Sequence, residues 1–263
     1  MSIQLSAEAL LTRDLISCHT PSGRERAAAD CLVQAFQTLN YDDAYIDAAG
    51  NAVGILHCGD SPETGPTVML NGHIDTVALG DESLWAHPPL SGAVSDEDGS
   101  SQKGGGPRMW GRGACDMKAA VACMAYAAKD AADAGFNGTL IVTGVVQEEV
   151  GGFGARYLAT EQQADVVILG EPSKLKLMVG HRGRLEVHAH IQGKIAHAAS
   201  NNLGLNALYE AAEVLKTLEI LELPTGGRLH GSSLTPTNLA SSPDSHNVVP
   251  GEARLVIDYR NIP

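Results

Sequence analysis

Residues 139–146 (TLIVTGVV) form a run in which apolar and β-branched side chains follow one another without alternation. Such a run is typical of a β-strand covered on both faces. Shorter strand-like runs lie at residues 44–47, 52–57, 67–70 and 166–169, and we predict that the last is also buried. Helical spacing or alanine-rich composition marks residues 6–17, 23–39, 116–134 and 154–160. This alternation predicts an α/β domain with a mixed, largely parallel sheet flanked by helices.

The pattern of polar and apolar residues changes after residue 183. Residues 185–191 alternate strictly between polar and apolar side chains, a helix is predicted at 204–219, and two more alternating segments lie at 233–240 and 253–259. The β-α-β-β order predicts the start of a small α+β, ferredoxin-like domain whose sheet has one exposed face. We therefore expect two domains, residues 1–183 and 184–263.

Composition and charge exclude several classes of function. The chain has 44% hydrophobic and 19% charged residues, as a globular protein does, and its net charge of −13 argues against a nucleic-acid partner. No apolar run approaches the roughly 20 residues that span a bilayer, and the first residues lack a signal-peptide core. Five cysteines, an odd number without a C-x-x-C pair, favour a reducing compartment. We expect a cytoplasmic protein without a membrane partner.

Histidine and acidic residues fall just beyond the predicted strands. They are His73 and Asp75, Glu148 and Glu149, Glu171, and Asp116, which is predicted to begin a helix after a glycine turn. In open α/β sheets, ligands bind at the carboxyl ends of the strands. One histidine with several carboxylates and no cysteine suits Zn²⁺, Mn²⁺ or Co²⁺. Without a cation, so many neighbouring carboxylates would resist joint ionisation.

Each of these residues has a simpler interpretation when it is taken alone. His73 and Asp75 match a surface histidine near an aspartate, the Glu148–Glu149 pair matches a solvated turn, and Asp116 matches a helix N-cap. Their joint occurrence at consecutive strand ends favours a metal site.

Four segments in this order resemble the M20 metallopeptidases: GHIDTV (72–77), GRGACDMK (111–118), QEEVGG (147–152) and GEPS (170–173). That family includes acetylornithine deacetylase, succinyl-diaminopimelate desuccinylase and carrier-protein-lysine hydrolases. The resemblance implies a zinc-dependent amidohydrolase, with Co²⁺ or Mn²⁺ as alternatives and two ions per subunit in the complete family enzyme. It also implies that residues 1–183 form the metal-binding catalytic domain and residues 184–263 a lid and dimerisation domain.

The resemblance implies a role for each residue of the cluster. His73, Asp116 and Glu171 would hold one ion, and Asp116 would bridge to a second ion that Glu149 also holds. Glu148 would act as general base and acid, and Asp75 would orient His73.

The resemblance extends into the second domain. Residues 193–199 (GKIAHAA) resemble the family segment whose histidine, here His197, reaches the site of the partner subunit and stabilises the oxyanion. Asn247 and Arg260 resemble substrate-binding residues of the lid. Arg182 and Arg184 lie near the domain junction, where they could hold a substrate carboxylate in a planar, two-point contact.

These roles imply a homodimer that forms through the lid. The substrate would be an N-acyl amino acid, or a lysine or ornithine linked to an amino-acid carrier protein. The alternative within the same family is a di- or tripeptidase.

The sequence departs from the family pattern in two ways. The last metal ligand of the family is a histidine beyond the point where this sequence ends, and His230 and His246 belong to lid segments. We therefore expect an incomplete lid and a fragment, with a degenerate paralogue or a non-catalytic binding protein as the alternatives. The second departure is the glycine-rich insertion at 95–108, a mobile loop or hairpin by composition, which we expect to shape the substrate mouth.

Overall fold

The structure, a computed structural model, describes residues 4–95, 107–178, 180–226 and 231–262. The chain divides into two compact units, Met1–Leu175 and Lys176–Pro263. The sequence suggested a division later, after residue 183. The connecting segment belongs to the second unit because Arg182 Nη1 donates hydrogen bonds to the carbonyl oxygen of Gly231, at 3.0 Å, and to the hydroxyl of Ser233, at 3.1 Å.

The first unit contains four α-helices and seven strands among its described residues. The helices are α1 (Ala7–Ser17), α2 (Arg26–Thr38), α3 (Ala119–Asp133) and α4 (Phe153–Glu161). The strands are β1 (Asp43–Ile46), β2 (Ala52–Cys58), β3 (Thr67–His73), β4 (Ala93–Ser95), β5 (Arg108–Trp110), β6 (Gly138–Val145) and β7 (Val166–Leu169).

The central sheet of the first unit has the strand order β1-β2-β6-β3-β7. The β1–β2 and β2–β6 ladders are antiparallel, whereas β3 pairs in parallel with β6 on one side and β7 on the other. The α/β class expected from the sequence is confirmed. Because β6, β3 and β7 run in the same direction, their carboxyl ends share one edge of the sheet.

Strand β6 is covered on both faces, as its unbroken apolar run predicts. Leu140 and Val142 belong to a core cluster with residues of α1, α2 and α3, whereas Ile141 and Val145 belong to a second cluster with Leu158 of α4. The strand is therefore held firmly, and the turn that follows it starts from a fixed point.

The prediction that the strand at residues 166–169, β7, is buried is wrong. Its four residues are between 49% and 63% exposed: Val166, Val167, Ile168 and Leu169. Within the described residues it lies at the edge of the sheet, paired only with β3. Apolar composition identified a strand, but it carries no information about which segment covers the strand.

The second unit contains one α-helix and five strands among its described residues: β8 (Gly183–Gln192), β9 (Ala196–His197), α5 (Ala207–Glu219), β10 (Ser233–Ser242), β11 (Val248–Val249) and β12 (Glu252–Asn261). The long strands form an antiparallel sheet in the order β10-β12-β8. Ala207 and Ala211 of α5 pack on Ala253 of β12. The helix covers only part of the apolar face, since Leu185 and Val187 on β8 are exposed.

Two further sequence interpretations concern the membrane and the insertion. No helix in the described ranges combines the length and the apolar character needed to cross a bilayer. The insertion at 95–108 falls largely outside the described residues. Its flanks form the two-stranded β4–β5 ladder, in which Ser95 pairs with Arg108.

Candidate metal centre

His73 is the last residue of β3 and is buried, at 1% exposure. Its Nδ1 lies 3.0 Å from the backbone carbonyl oxygen of Asp75 and 3.4 Å from the Asp75 carboxylate. Both atoms are acceptors, so Nδ1 carries a proton. The Nε2 atom is thereby turned toward the acidic residues at the edge of the sheet, as a metal-ligating histidine requires.

Asp116 reaches His73 from a turn and not from a helix. Its Oδ1 atom lies 3.0 Å from His73 Nε2. The prediction that Asp116 begins a helix is wrong, because its backbone is extended (φ −120°, ψ 97°) and α3 starts at Ala119. The alanine-rich composition predicts a helix from residue 116, three residues before the observed start of α3. Asp116 lies outside the helix and contacts His73.

The turn of Asp116 is tied to the end of α1 by a buried lysine. Lys118 is 1% exposed, and its ammonium group donates to the backbone carbonyl oxygens of Leu15, at 2.8 Å, and Cys18, at 2.9 Å. A cation at the carboxyl end of a helix is favourable because the helix dipole is negative there. Burial lowers the pKa of Lys118 to about 8.

The three glutamates of the site follow β6 and β7. Glu148 Oε2 lies 4.0 Å and Glu171 Oε1 lies 3.8 Å from His73 Nε2. Two sets of three residues have ligand atoms within 4.8 Å of one another: His73, Glu148 and Glu171, and His73, Asp116 and Glu149. The structure therefore brings all of the metal-ligand candidates of the sequence together, along with Glu148.

Asp75 is buried, at 0% exposure, and accepts hydrogen bonds from three donors besides the ring of His73. The Ser22 hydroxyl donates to Oδ2 at 2.6 Å, the Glu148 backbone N–H to Oδ1 at 3.1 Å and the Glu149 backbone N–H to Oδ2 at 3.2 Å. Burial raises the pKa of Asp75, but the hydrogen bonds from His73, Ser22 and Glu148 outweigh it, so the pKa is lowered. Asp75 thus stays ionised and links His73 to the turn that carries both glutamates.

Negative charge accumulates at this edge of the sheet. Burial, and then the charge of Asp116, raise the pKa of Glu149, and burial likewise raises the pKa of Glu171. Burial lowers the pKa of His73, but hydrogen bonds to Asp75 and Asp116 and the charge of Glu171 raise it to about 9. A proton on His73 thus offsets charge where a divalent cation fits.

The donor set fits a divalent transition metal. It offers one imidazole nitrogen, oriented through its other nitrogen, and carboxylate oxygens from Asp116, Glu149 and Glu171, which together suit Zn²⁺, Co²⁺ or Mn²⁺. Geometry alone does not separate Glu148 from the ligands, since it belongs to one of the two sets of three.

His197 and Asn247 lie together in the second unit. His197 on β9 pairs with Val248 on β11, and the Ala198 backbone N–H donates to the Asn247 carbonyl oxygen at 2.9 Å. The His197 Nδ1 atom accepts the backbone N–H of Ala199 at 3.1 Å. Neutral His197 therefore carries its proton on Nε2, and the side chain is exposed.

The three candidate arginines contact residues of their own unit. Arg184 Nε and Arg260 Nε each donate to the carboxylate of Asp258 at 2.7 Å, and Arg182 donates to Gly231 and Ser233 as described above. Each guanidinium has five N–H groups. Within the described residues each arginine makes two side-chain hydrogen bonds, so donors are left for a substrate.

Sequence reasoning missed three residues that fix the region around the turn after β6: Asn51 and Glu25 accept the backbone N–H groups of Val146 and Gln147, and Ser22 donates to Asp75. The signals were present but had ordinary interpretations. Ser22 lies between the predicted helices 6–17 and 23–39, Glu25 lies within the second of them, and Asn51 lies between the predicted strands 44–47 and 52–57. Side chains that act over such distances in sequence leave no local pattern.

The chain is similar to known proteins over nearly its whole length. The model of peptidase family M20/M25/M40 matches residues 69–234. YgeY of Escherichia coli (strain K12), itself uncharacterized, is 28% identical over 94% of this chain and 60% of its own length. Succinyl-diaminopimelate desuccinylase of Paracoccus denitrificans is 31% identical over 96% of this chain and 66% of its own length. The chain thus spans about three-fifths to two-thirds of these relatives.

A solved structure shares the fold. The M20 family metallo-carboxypeptidase Sso-CP2 of Sulfolobus solfataricus superposes with a TM-score of 0.75 at 16% identity, over 98% of this chain and 72% of that one. The residues that the family model matches include His73, Asp116, Glu148, Glu149 and Glu171. This chain belongs to peptidase family M20/M25/M40.

Proposed function

We propose that the protein is a metal-dependent hydrolase that cleaves an amide bond close to a carboxylate. The observation that carries the proposal is the convergence of one oriented histidine and four carboxylates at the carboxyl ends of β3, β6 and β7. These residues are His73, Asp116, Glu148, Glu149 and Glu171.

The metal ligands would be His73, Asp116 and Glu171 for one ion, with Asp116 and Glu149 holding a second. Zn²⁺ is the proposed metal, and Co²⁺ or Mn²⁺ suit the same donors. When bound, such cations supply Lewis-acid polarisation of the amide carbonyl and lower the pKa of water toward neutrality.

Glu148 would move the proton. Its carboxylate is half-exposed and lies 4.0 Å from His73 Nε2. From there it would take a proton from the attacking water and give that proton to the leaving amine. Its backbone N–H is fixed by Asp75, so the side chain starts from a defined position.

His197 of the partner subunit would stabilise the oxyanion that develops on the scissile carbonyl. Its Nδ1 is occupied by the backbone N–H of Ala199, so its Nε2–H is free to donate. Preorganised donors of this kind stabilise developing negative charge. The proposal therefore includes a homodimer that forms through the second unit.

The substrate we propose is an N-acyl amino acid, of acetyl or succinyl type, or a lysine or ornithine linked to an amino-acid carrier protein. The relative from Paracoccus denitrificans, a desuccinylase by name, supports the acyl class. Asn247, Arg182, Arg184 and Arg260 would recognise the substrate, the arginines through a planar contact with its carboxylate. A di- or tripeptide presents the same amide and carboxylate, so a peptidase is the alternative.

Two measurements test the proposal. Metal analysis of the purified protein should find bound divalent cation that is lost in His73→Ala, and turnover should appear with either N-succinyl and N-acetyl amino acids or a panel of di- and tripeptides. Cation binding without turnover on both panels, measured on the full-length gene product, would contradict a hydrolase and support a non-catalytic binding protein. His57→Ala, which removes an exposed histidine from β2 of the same unit, is the control.

A further inference from the structure

Four consecutive backbone amides, from Val146 to Glu149, each donate to a side-chain oxygen from elsewhere in the first unit. The Val146 N–H donates to Asn51 Oδ1 at 2.9 Å and the Gln147 N–H to Glu25 Oε1 at 3.2 Å. The next two amides donate to the carboxylate of Asp75, as described above. The turn that presents both functional glutamates is thus held by side chains at each of its positions.

Glu25 is the least expected of these acceptors. It is a carboxylate at 5% exposure whose Oε1 atom also accepts the Gly23 backbone N–H at 2.7 Å. Its own backbone carbonyl accepts the N–H groups of Ala28 and Ala29 at the start of α2. Glu25 therefore fixes the loop before α2 to the turn after β6.

Gln147 shows why an anchor is needed at this point. Its φ of 55° places a non-glycine residue in the left-handed region, which costs free energy because the Cβ atom crowds the backbone. That conformation turns the chain directly after β6 and sets the directions in which Glu148 and Glu149 leave it. A charge-assisted hydrogen bond to the Gln147 N–H stabilises it.

We propose that Glu25 is a positioning residue for the Glu148–Glu149 pair. By holding Gln147 in its left-handed conformation, Glu25 sets the directions in which the Glu148 and Glu149 side chains enter the cluster, where Glu148 would transfer the proton and Glu149 would hold an ion. The inference rests on the proposed function for the roles of the two glutamates. The anchoring itself depends only on the contacts of Glu25.

The test compares three variants with the wild-type protein. Glu25→Ala removes the acceptor, whereas Glu25→Gln keeps an oxygen at the same reach. The control is Asp165→Ala, because the Asp165 carboxylate accepts the Thr67 backbone N–H at 2.8 Å, at the opposite end of β3 from the site. Amide hydrogen exchange over residues 146–149, Zn²⁺ affinity by calorimetry, and kcat and KM are measured for each protein.

We expect Glu25→Ala to speed exchange at the Gln147–Glu149 amides by about tenfold or more, because the local opening there becomes easier. Its Zn²⁺ affinity should fall about 10–100-fold, as when the residue that orients a ligand is lost. Its kcat should fall while KM stays close to the wild-type value. Glu25→Gln should bring all three quantities closer to the wild-type values than Glu25→Ala does, because it keeps the acceptor oxygen but loses the charge. Asp165→Ala should leave residues 146–149 unchanged.

Unchanged exchange at these amides in folded Glu25→Ala would overturn the proposal, as would an equal change in Asp165→Ala. If Glu25→Ala does not fold, Glu25→Asp replaces it, since it keeps the charge but shortens the reach by one methylene. The exchange measurement needs neither metal nor turnover. A wild-type protein that binds no cation would overturn the proposed function while the anchoring by Glu25 is still decided by exchange.

Discussion

The ring of His73 donates from Nδ1 to the backbone carbonyl oxygen of Asp75 at 3.0 Å, which leaves Nε2 to face the carboxylates. Both sets of candidate ligands contain His73, which is the one nitrogen donor among them, so the ion that we place on His73, Asp116 and Glu171 depends on this residue.

Added Zn²⁺ should therefore raise the thermal unfolding midpoint of the wild-type protein. A cation at 100 times its dissociation constant stabilises the folded state by about 2.7 kcal/mol. His73→Ala should abolish the shift, because it removes the one nitrogen ligand of the cluster. Differential scanning calorimetry with and without Zn²⁺ measures the effect, and a full shift in His73→Ala would contradict the assigned centre. His57→Ala should keep the shift.

Replacement of Glu148 shows whether this residue transfers a proton or binds the metal. We expect Glu148→Ala to keep its metal content and to lose about 10²–10⁴-fold in kcat, the contribution of a general base. Metal analysis and steady-state kinetics on the same preparation make the comparison. Loss of the metal in Glu148→Ala would instead assign Glu148 to the ligands, as the set with His73 and Glu171 allows.

A complementation experiment tests whether His197 acts in the site of the partner subunit. His197→Ala and Glu148→Ala should each be nearly inactive. Mixed and reassembled at equal amounts, they should recover about a quarter of wild-type activity, because half of the dimers are mixed and one site in each is intact. A mixture as inactive as its components would place His197 in the site of its own chain, and an active His197→Ala would place it outside the site.

The buried hydroxyl of Tyr41 predicts how the free energy of unfolding changes at alkaline pH. Tyr41 donates to the Ala125 carbonyl oxygen at 2.6 Å, and burial raises its pKa above the usual 10.0. Above pH 10 the unfolded state ionises first and binds fewer protons than the folded state. The free energy of unfolding therefore falls as pH rises, by up to about 1.4 kcal/mol per pH unit from this group.

Tyr41→Phe removes both the hydrogen bond and the titration. At pH 8 the variant should be less stable by about 1 kcal/mol, the net contribution of such a bond. Above pH 10 the difference from the wild-type protein should shrink, because only the wild-type protein loses stability through this group. Urea unfolding of both proteins from pH 8 to 11 measures the difference. A constant difference across that range would contradict the raised pKa.

Much of the metal centre could be predicted from the sequence because its residues lie at the ends of apolar runs. Unbroken apolar runs predict strands covered on both faces, and parallel strands end at the same edge of a sheet. That geometry is enough to place His73, Glu148, Glu149 and Glu171 near one another. Local patterns therefore sufficed for the candidate ligands that follow or end β3, β6 and β7.

The features that the sequence did not predict depend on contacts between distant segments. The alanine-rich composition predicts a helix from Asp116, yet the backbone of Asp116 is not helical and its side chain contacts His73. The exposure of β7 depends on what lies against it, which its own residues do not encode. The anchors Glu25 and Asn51 act on backbone amides, and a backbone amide has no residue type for a sequence pattern to reveal.

The anchored turn also bears on the order in which the first unit folds. The acceptors for Val146, Gln147, Glu148 and Glu149 lie 95, 122, 73 and 74 residues away, all earlier in the chain. Contacts across such separations form only after large loops have closed. A growing chain has therefore made every anchor before the turn itself is synthesised, and Glu149 gains its direction only when distant segments have met. Metal uptake should mark the completion of folding in this unit, so that a partly folded chain leaves the ion in solution.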